Sequence, residues 1–377
     1  TIEGIFMNFS ISLSTAKHLF VDACGVANGS KCNISALDYI HFSLLGGIAE
    51  VLGTDTQSIV RQSSPIDAFE DYEICIEAKK LNTVISSFTD ESKSLKFQFD
   101  EDKVIVKHGR SRASIATMPC DSYPIPKIVI PNGFQFSCDA ESFKSAISGI
   151  FYAKANNDVR PFLNHINFSI NSHQMKLYTS DGHRLATDIV QLENSVDDLK
   201  GILPFKLAEM LLQAQPDGTL GFFFDDSHFY CSTGGTIYGS KFVATEFTDV
   251  SEILNTELFQ SIKIAKSELL DSVKRIKGFV QSAKIAKLTI SLKGQELLLN
   301  ANADKGNEID DVVNTELLQA NVSDGYEPVF TLNPNYLFDA VKSIKSNSVC
   351  ISFTSKALLK ITDPDNANIN SVIMSMR

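Results

Sequence analysis

The residues that come nearest to a reactive constellation are crowded into Thr179-Ser180-Asp181-Gly182-His183-Arg184-Leu185. A serine, an aspartate and a histidine could act as nucleophile, orienting acid and general base. Hydrolytic triads, however, draw their members from separate elements so that they converge on one substrate atom. Here all three occupy one turn after the strand-like Met175-Lys176-Leu177-Tyr178, so the segment reads as a structural turn or the rim of a binding pocket. No G-x-S-x-G, H-E-x-x-H, Walker loop or dinucleotide fingerprint occurs. The histidines include no close pair at metal-ligand spacing. Cys24, Cys32, Cys75, Cys120, Cys138, Cys231 and Cys350 make an odd number with no C-x-x-C pair. That fits the reduced thiols of a cytosol rather than a disulfide framework, and no zinc, other metal or cofactor is expected.

The elements that must position this turn repeat along the chain. Phe9-Ser10-Ile11-Ser12-Leu13-Ser14 alternates apolar and polar residues and leads into a helical pattern over Ala16–Cys24. Phe134–Asp139 leads in the same way into Phe143–Ile150, and Ile262–Ser267 into Leu269–Ile276. Each strand ends in Ser or Asp, side chains that cap helix N-termini. A second strand-then-helix unit recurs later in each third: Tyr72–Ile76 before Leu81–Ile85, Gly201–Pro204 before Leu207–Leu212, and Val329–Leu332 before Tyr336–Val341. Hairpin-rich sequence follows each one, over Leu95–Met118, Leu220–Val243 and Val349–Met376. The period of roughly 125 to 129 residues predicts an α+β fold of three repeated domains, each with two helices packed on antiparallel sheet. The domains are expected over 1–127, 128–256 and 257–377, joined by short connectors.

With 44% apolar and 21% charged residues spread evenly over 377 positions, the chain can build real cores, which excludes wholesale disorder. No apolar run approaches the roughly 20 residues of a membrane span and no leader pattern opens the chain, so a soluble protein with no membrane partner is expected. Thr1–Phe6 precede the first methionine, Met7, and are set aside as an appended segment. The net charge of −11 argues by itself against nucleic acid, because phosphate binding runs on Lys and Arg. Yet the six helical windows carry a net +3 and the remainder −14. Lys17, Lys79, Lys80, Lys144, Lys154, Lys206, Lys274, Arg275, Lys277, Lys342 and Lys345 therefore sit on modestly basic helices of an acidic protein. Surface lysines usually mark no more than a solvated face, so this split alone leaves both readings open.

Ser180-Asp181-Gly182-His183-Arg184-Leu185-Ala186, preceded by Asp158-Val159-Arg160-Pro161-Phe162-Leu163-Asn164, closely resembles the middle domain of the bacterial sliding clamp family, the β subunit of DNA polymerase III. Gly53-Thr54-Asp55, Gly109-Arg110-Ser111-Arg112 and the closing Val372-Ile373-Met374-Ser375-Met376-Arg377 match as well, and the resemblance runs over essentially the whole chain from Met7. It implies a head-to-tail homodimeric ring with helices lining a hole around duplex DNA, held without sequence preference. It further implies no enzymatic activity and a place in the cytoplasm at the nucleoid. The partners it implies are the DNA polymerase III α subunit, a clamp loader and other proteins carrying a clamp-binding motif. An alternative is a clamp-shaped peptide-binding scaffold that is not loaded on DNA. An acidic exterior suits a ring, because topology rather than net attraction then provides retention.

The resemblance assigns a partner-peptide pocket to Leu163, Ser180, Gly182, His183, Arg184, Leu185, Ile253, Leu358, Val372, Ile373, Met374 and Met376. It assigns DNA contact to Lys31, Asn157, Arg160, Phe162 and Lys206. At the dimer seam it sets Arg110 and Arg112 against Glu308, Asp310 and Asp311 of a second copy, with apolar contact from Ile115, Phe279 and Val280. Thr248 and Ser375 stand where the family has Pro, Glu252 where a basic residue can occur, Ala113 where a larger aromatic is expected, and no Leu follows Arg377.

Overall fold

Helical spacing of apolar residues sets the first element after a short strand. The computed structural model describes residues 7–29, 33–68, 70–100, 102–242, 249–303, 306–320 and 328–376. In it, Leu13, Ala16, Leu19, Phe20 and Ala23 are fully buried along one face of helix α1 (Leu13–Val26). The cap is Ser12, whose hydroxyl accepts the Thr15 N–H at 3.0 Å, rather than the expected Ser14. The strand Asn8–Ile11 ends sooner than the alternation suggested, because Leu13 is worth more on the buried face of the helix.

All six expected strand-then-helix junctions are present. The other helices are α2 (Ala78–Ser87), α3 (Ala140–Ile150), α4 (Phe205–Ala214), the short α5 (Ser251–Leu254), α6 (Lys266–Phe279) and α7 (Pro334–Ser343). Ser267, expected as a cap, lies inside α6. That helix starts after Ala265 without a side-chain cap, and its Lys266 N–H donates instead to the Asn347 carbonyl at 2.9 Å. Asn333 caps α7, its side-chain oxygen accepting the Asn335 N–H at 2.9 Å.

The chain divides into two compact units, Thr1–Ala140 with Lys206–Phe242, and Glu141–Phe205 with Val243–Arg377. In the first, Tyr39–Leu45, Ile48–Thr54 and Ser58–Pro65 form successive antiparallel hairpins, and Tyr72–Glu77 pairs back on Tyr39–Leu45. Asn8–Ile11, Leu95–Phe99, Lys103–His108 and Ser111–Met118 make a second meander. Ser58–Pro65 also pairs with Thr236–Lys241, so strands from the first and second repeats share one sheet. Phenylalanine fills the core between: the Phe9 and Phe97 rings stack at 4.8 Å, Phe20 and Phe97 at 5.4 Å, and Phe42 and Phe99 at 5.6 Å.

In the second unit the strands Ile166–Ser180 and Arg184–Leu203 form one long hairpin, of which the sequence pattern exposed the Met175–Tyr178 stretch and the end at Gly201–Leu203. Arg184–Leu203 also pairs with the last strand, Asn366–Met374, which continues through Leu358–Asp363 and Ser348–Thr354 to Leu258–Ala265. A separate four-stranded sheet orders Glu308–Asn314, Glu296–Asn302, Leu288–Lys293 and Val329–Leu332. Leu269, Val273, Ile276 and Val280 of α6 and its C-cap meet Leu337, Ala340 and Val341 of α7 in the core.

Candidate functional site

The turn from Asp181 to His183 is tied together by its own side chains. Gly182 takes φ +88°, a left-handed conformation that L side chains avoid. The Ser180 hydroxyl donates to the Arg184 carbonyl at 2.6 Å and accepts the Gly182 N–H at 3.1 Å. Asp181 Oδ1 accepts the N–H groups of His183 at 2.9 Å and Arg184 at 3.0 Å. The hydroxyl and carboxylate that resembled a nucleophile and an orienting acid are thus engaged in shaping the turn. Arg184 anchors it: Nε meets Asp181 Oδ2 at 3.0 Å, Nη1 meets Asp339 Oδ2 at 2.8 Å, and the guanidinium lies over the rings of Tyr336 at 4.4 Å and Tyr152 at 5.3 Å.

Beside this anchored turn lies an apolar cluster. Register sets Leu185 opposite Val372 and Leu358 opposite Met374, and the Met374 N–H donates to the His183 carbonyl at 2.9 Å. Leu185, Leu358 and Val372 pack with Tyr178 and Leu254, with Val250 against them. Tyr178, Leu254 and Val250 were missed, because an apolar residue in a strand reads as ordinary core. Met374 is 50% and Ile253 41% exposed, so both are open to contact at the surface. Half-buried Lys360 donates to the Leu254 carbonyl at 3.4 Å. Burial lowers the ammonium pKa of Lys360, reinforced by the charge of Lys176, and burial also lowers that of Lys176, opposed by Asp249.

Two expected pocket residues lie elsewhere. Successive strand residues face opposite sides, so Ile373 turns away from Val372 into the core with α6 and α7. Met376 donates its N–H to the Thr331 carbonyl at 2.6 Å and lines a cleft with Ile285, Thr289 and Asn300. Leu163 is buried in the turn Pro161–Asn164.

That turn adjoins the site through Arg160, whose Nη2 lies 3.0 Å from where a Cβ on Gly182 would stand. Arg160 is paired bidentately with Asp158, at 2.9 and 3.1 Å. Asn157 is exposed at φ +60° and Phe162 is half-buried. The Phe205 N–H donates to His165 Nδ1 at 3.0 Å, which requires an unprotonated nitrogen there, and burial together with Lys154 lowers the His165 pKa. In the other unit Lys206 pairs with Glu209 at 2.8 Å. Lys31 and Thr248 lie outside the described residues. Among the described residues, Lys17, Lys79, Lys274 and Lys342 form no ion pair, whereas Lys80 pairs with Glu77, Lys144 with Glu141 and Arg275 with Asp311.

The seam residues divide by burial. Arg110 and Arg112 are exposed. Ile115 at 2% and Val280 at 1% exposure are interior residues of their own fold, which removes them as surface contacts, and Phe279 packs partly against the same core as Val280. Asp311 is held by Arg275, at 2.5 Å from Nη2 and 3.0 Å from Nε, while Glu308 and Asp310 accept from the Asn300 amide at 2.6 and 2.8 Å. On the same outermost strand, Glu308–Asn314, Val312 is 52% exposed.

Three family models match in succession: the DNA polymerase III beta subunit N-terminal domain over residues 26–128, its central domain over 137–249 and its C-terminal domain over 251–377. The beta sliding clamp of Haemophilus influenzae is 24% identical over 376 residues, covering 98% of this chain and 100% of the relative. That of Pseudomonas aeruginosa is 26% identical over 334 residues, covering 86% and 88%. A crystal structure of the Pseudomonas aeruginosa clamp bound to griselimycin shares the fold, with a TM-score of 0.87 at 23% identity, covering 98% of this chain and 99% of that one. With all three domain models matched in order along its length, this chain belongs to the DNA polymerase III beta subunit family.

Proposed function

We propose that this DNA sliding clamp closes head to tail with a second copy around duplex DNA and tethers a replicative polymerase by topology, without catalysing a reaction. The observation that carries the reading is the run of three clamp-domain matches, in order, along a chain built from three strand-and-helix repeats. The three domains of the ring are 1–127, 128–256 and 257–377. Loose, sequence-independent phosphate contact falls to the helix lysines that form no ion pair among the described residues, Lys17, Lys79, Lys274 and Lys342, together with Lys31, Asn157, Phe162 and the paired cations Arg160 and Lys206. At the seam, Arg110 and Arg112 meet Glu308 and Asp310 of the second copy, and Val312 supplies the apolar contact that Ile115 and Val280 cannot. Retention on closed-circular DNA with release from linear DNA is the experiment that tests the ring.

The polymerase and the loader dock through a short segment ending in apolar residues, seated against Leu185, Leu358 and Val372 with Met374 at the rim. A synthetic peptide bearing Leu and Phe at its end should bind the wild-type chain in a fluorescence anisotropy titration. Met374→Ala should weaken it roughly fivefold, about the value of one partly buried methionine side chain. Met376→Ala should leave affinity within about twofold, because Met376 borders another cleft. The reverse order of effects would move the docking site to the cleft by Thr331.

A further inference from the structure

The first unit gathers four metal-ligating side chains from three elements. His41 stands on the strand Tyr39–Leu45, Glu73 and Cys75 on the strand Tyr72–Glu77, and Cys120 at the start of the single turn Cys120–Ser122. Antiparallel register sets His41 opposite Cys75 and Ser43 opposite Glu73, so His41, Glu73 and Cys75 share a face of the sheet. Cys75 also pairs with Met118, which delivers the following turn, and Cys120 with it, to that face. Ligand atoms of His41, Glu73 and Cys120 all lie within 4.8 Å of one another. His41 Nε2 is 2.5 Å from Glu73 Oε1, and the Cys75 thiol donates to the Cys120 sulfur at 3.5 Å.

The donor set is one imidazole, one carboxylate and one thiolate, the mixture a borderline-soft divalent ion such as zinc takes and calcium or magnesium does not. Bonds of roughly 2.0 to 2.3 Å in a tetrahedron put neighbouring ligand atoms about 3.3 to 3.8 Å apart. The cluster needs little change to reach this. The contact between His41 and Glu73 must open by about 1 Å, and the Cys120 sulfur, within 4.8 Å of both partner atoms, must close by no more than about 1.5 Å; the Glu73 side chain is 53% exposed against 6% for His41.

We propose that His41, Glu73 and Cys120 form a Zn2+ site, with the Cys75 thiol hydrogen-bonded to the ligating sulfur and the fourth position open to water. Binding displaces the Cys120 thiol proton to solvent, sends the proton shared by His41 Nε2 and Glu73 to Nδ1 or to solvent, and forms the metal–nitrogen, metal–oxygen and metal–sulfur bonds; no electron is transferred. The ion ties two strands to the turn leaving the Ser111–Met118 strand. Sequence spacing conceals the site, because its ligands lie 32 and 47 positions apart along the chain and form no short motif.

The test is a titration of the reduced, chelator-treated full chain with Co2+ as the spectroscopic probe. One equivalent should bring up a sulfur-to-cobalt charge-transfer band together with the intense visible bands of a tetrahedral site. Cys120→Ser should abolish the charge-transfer band, and Glu73→Gln should weaken binding at least about tenfold. Cys75→Ser should keep the band with affinity reduced by about tenfold or less, as for an outer partner. Cys350→Ser, on the strand Ser348–Thr354 of the second unit, should change nothing. Circular dichroism of each variant separates loss of the site from loss of the fold. No charge-transfer band in the wild-type chain, or a band that survives in folded Cys120→Ser, would overturn the assignment.

Discussion

Gly53→Ala is expected to cost at least about 3 kcal/mol, the upper end of what overpacking does. A Cβ at this position would stand 1.9 Å from the Ala23 carbonyl oxygen and 2.6 Å from its carbon, backbone atoms of α1 that cannot rotate aside. Gly53 lies near the end of the strand Ile48–Thr54, so the missing side chain is what lets α1 seat on the sheet. The added methyl must push the helix outward, along with the face formed by Leu19, Phe20 and Ala23. Gly25→Ala is the matched control: it lies in the same helix, and among the described residues nothing stands within 4 Å of its would-be Cβ. It should be stabilising by about 0.5 to 1 kcal/mol through helix propensity. Thermal unfolding of the two variants should therefore move in opposite directions. A Gly53→Ala midpoint within about 1 °C of wild type would mean that α1 does not sit where this packing puts it.

Arg184→Ala should cost about 2 to 3 kcal/mol. Breaking a fully buried ion pair costs roughly 3 to 5 kcal/mol, and the figure is reduced here for partial solvent exposure. The Arg184 side chain is 13% exposed, Asp181 16% and Asp339 31%, so removal leaves two carboxylates poorly solvated and takes a cation from between Tyr152 and Tyr336. Arg184→Lys keeps the charge, but a point ammonium cannot hold both carboxylates in the fork's geometry, and it should recover about half of the loss. Urea unfolding of the second unit's transition is the measurement. Because Leu185 follows directly in the apolar cluster, the alanine variant should also bind the docking peptide less tightly. A loss below about 0.5 kcal/mol would place Arg184 among ordinary surface ion pairs.

The repeated strand-then-helix pattern was legible because period-two and helical apolar spacing both survive in the chain, as in Phe9-Ser10-Ile11 before Leu13, Ala16 and Phe20. Element ends were less so: Ser12, Ser14 and Thr15 are all plausible caps, and only burial of Leu13 selects Ser12. The turn at Asp181 and Gly182 announced itself through residues that hydrogen-bond their own backbone or tolerate positive φ. Its apolar neighbours did not, since Leu254 becomes part of the site only once α5 forms. The Val372 to Met376 stretch could not all face one slot, because alternation sends Ile373 to the core. At the seam, Val280 looked like a contact in sequence but closes α6 from inside.

The measurement that bears most directly on the ring is retention on DNA of changed topology. The chain, loaded by a clamp loader onto a nicked circular duplex, is separated from free protein by gel filtration, and the duplex is then cut once with a restriction enzyme. Topological tethering predicts that the protein stays with the circle and is lost through the ends after the cut, whatever the base sequence. Equal retention on circular and linear duplexes would contradict it in favour of ordinary affinity. Failure to load on either, with peptide binding intact, would contradict it in favour of a scaffold that never encircles DNA.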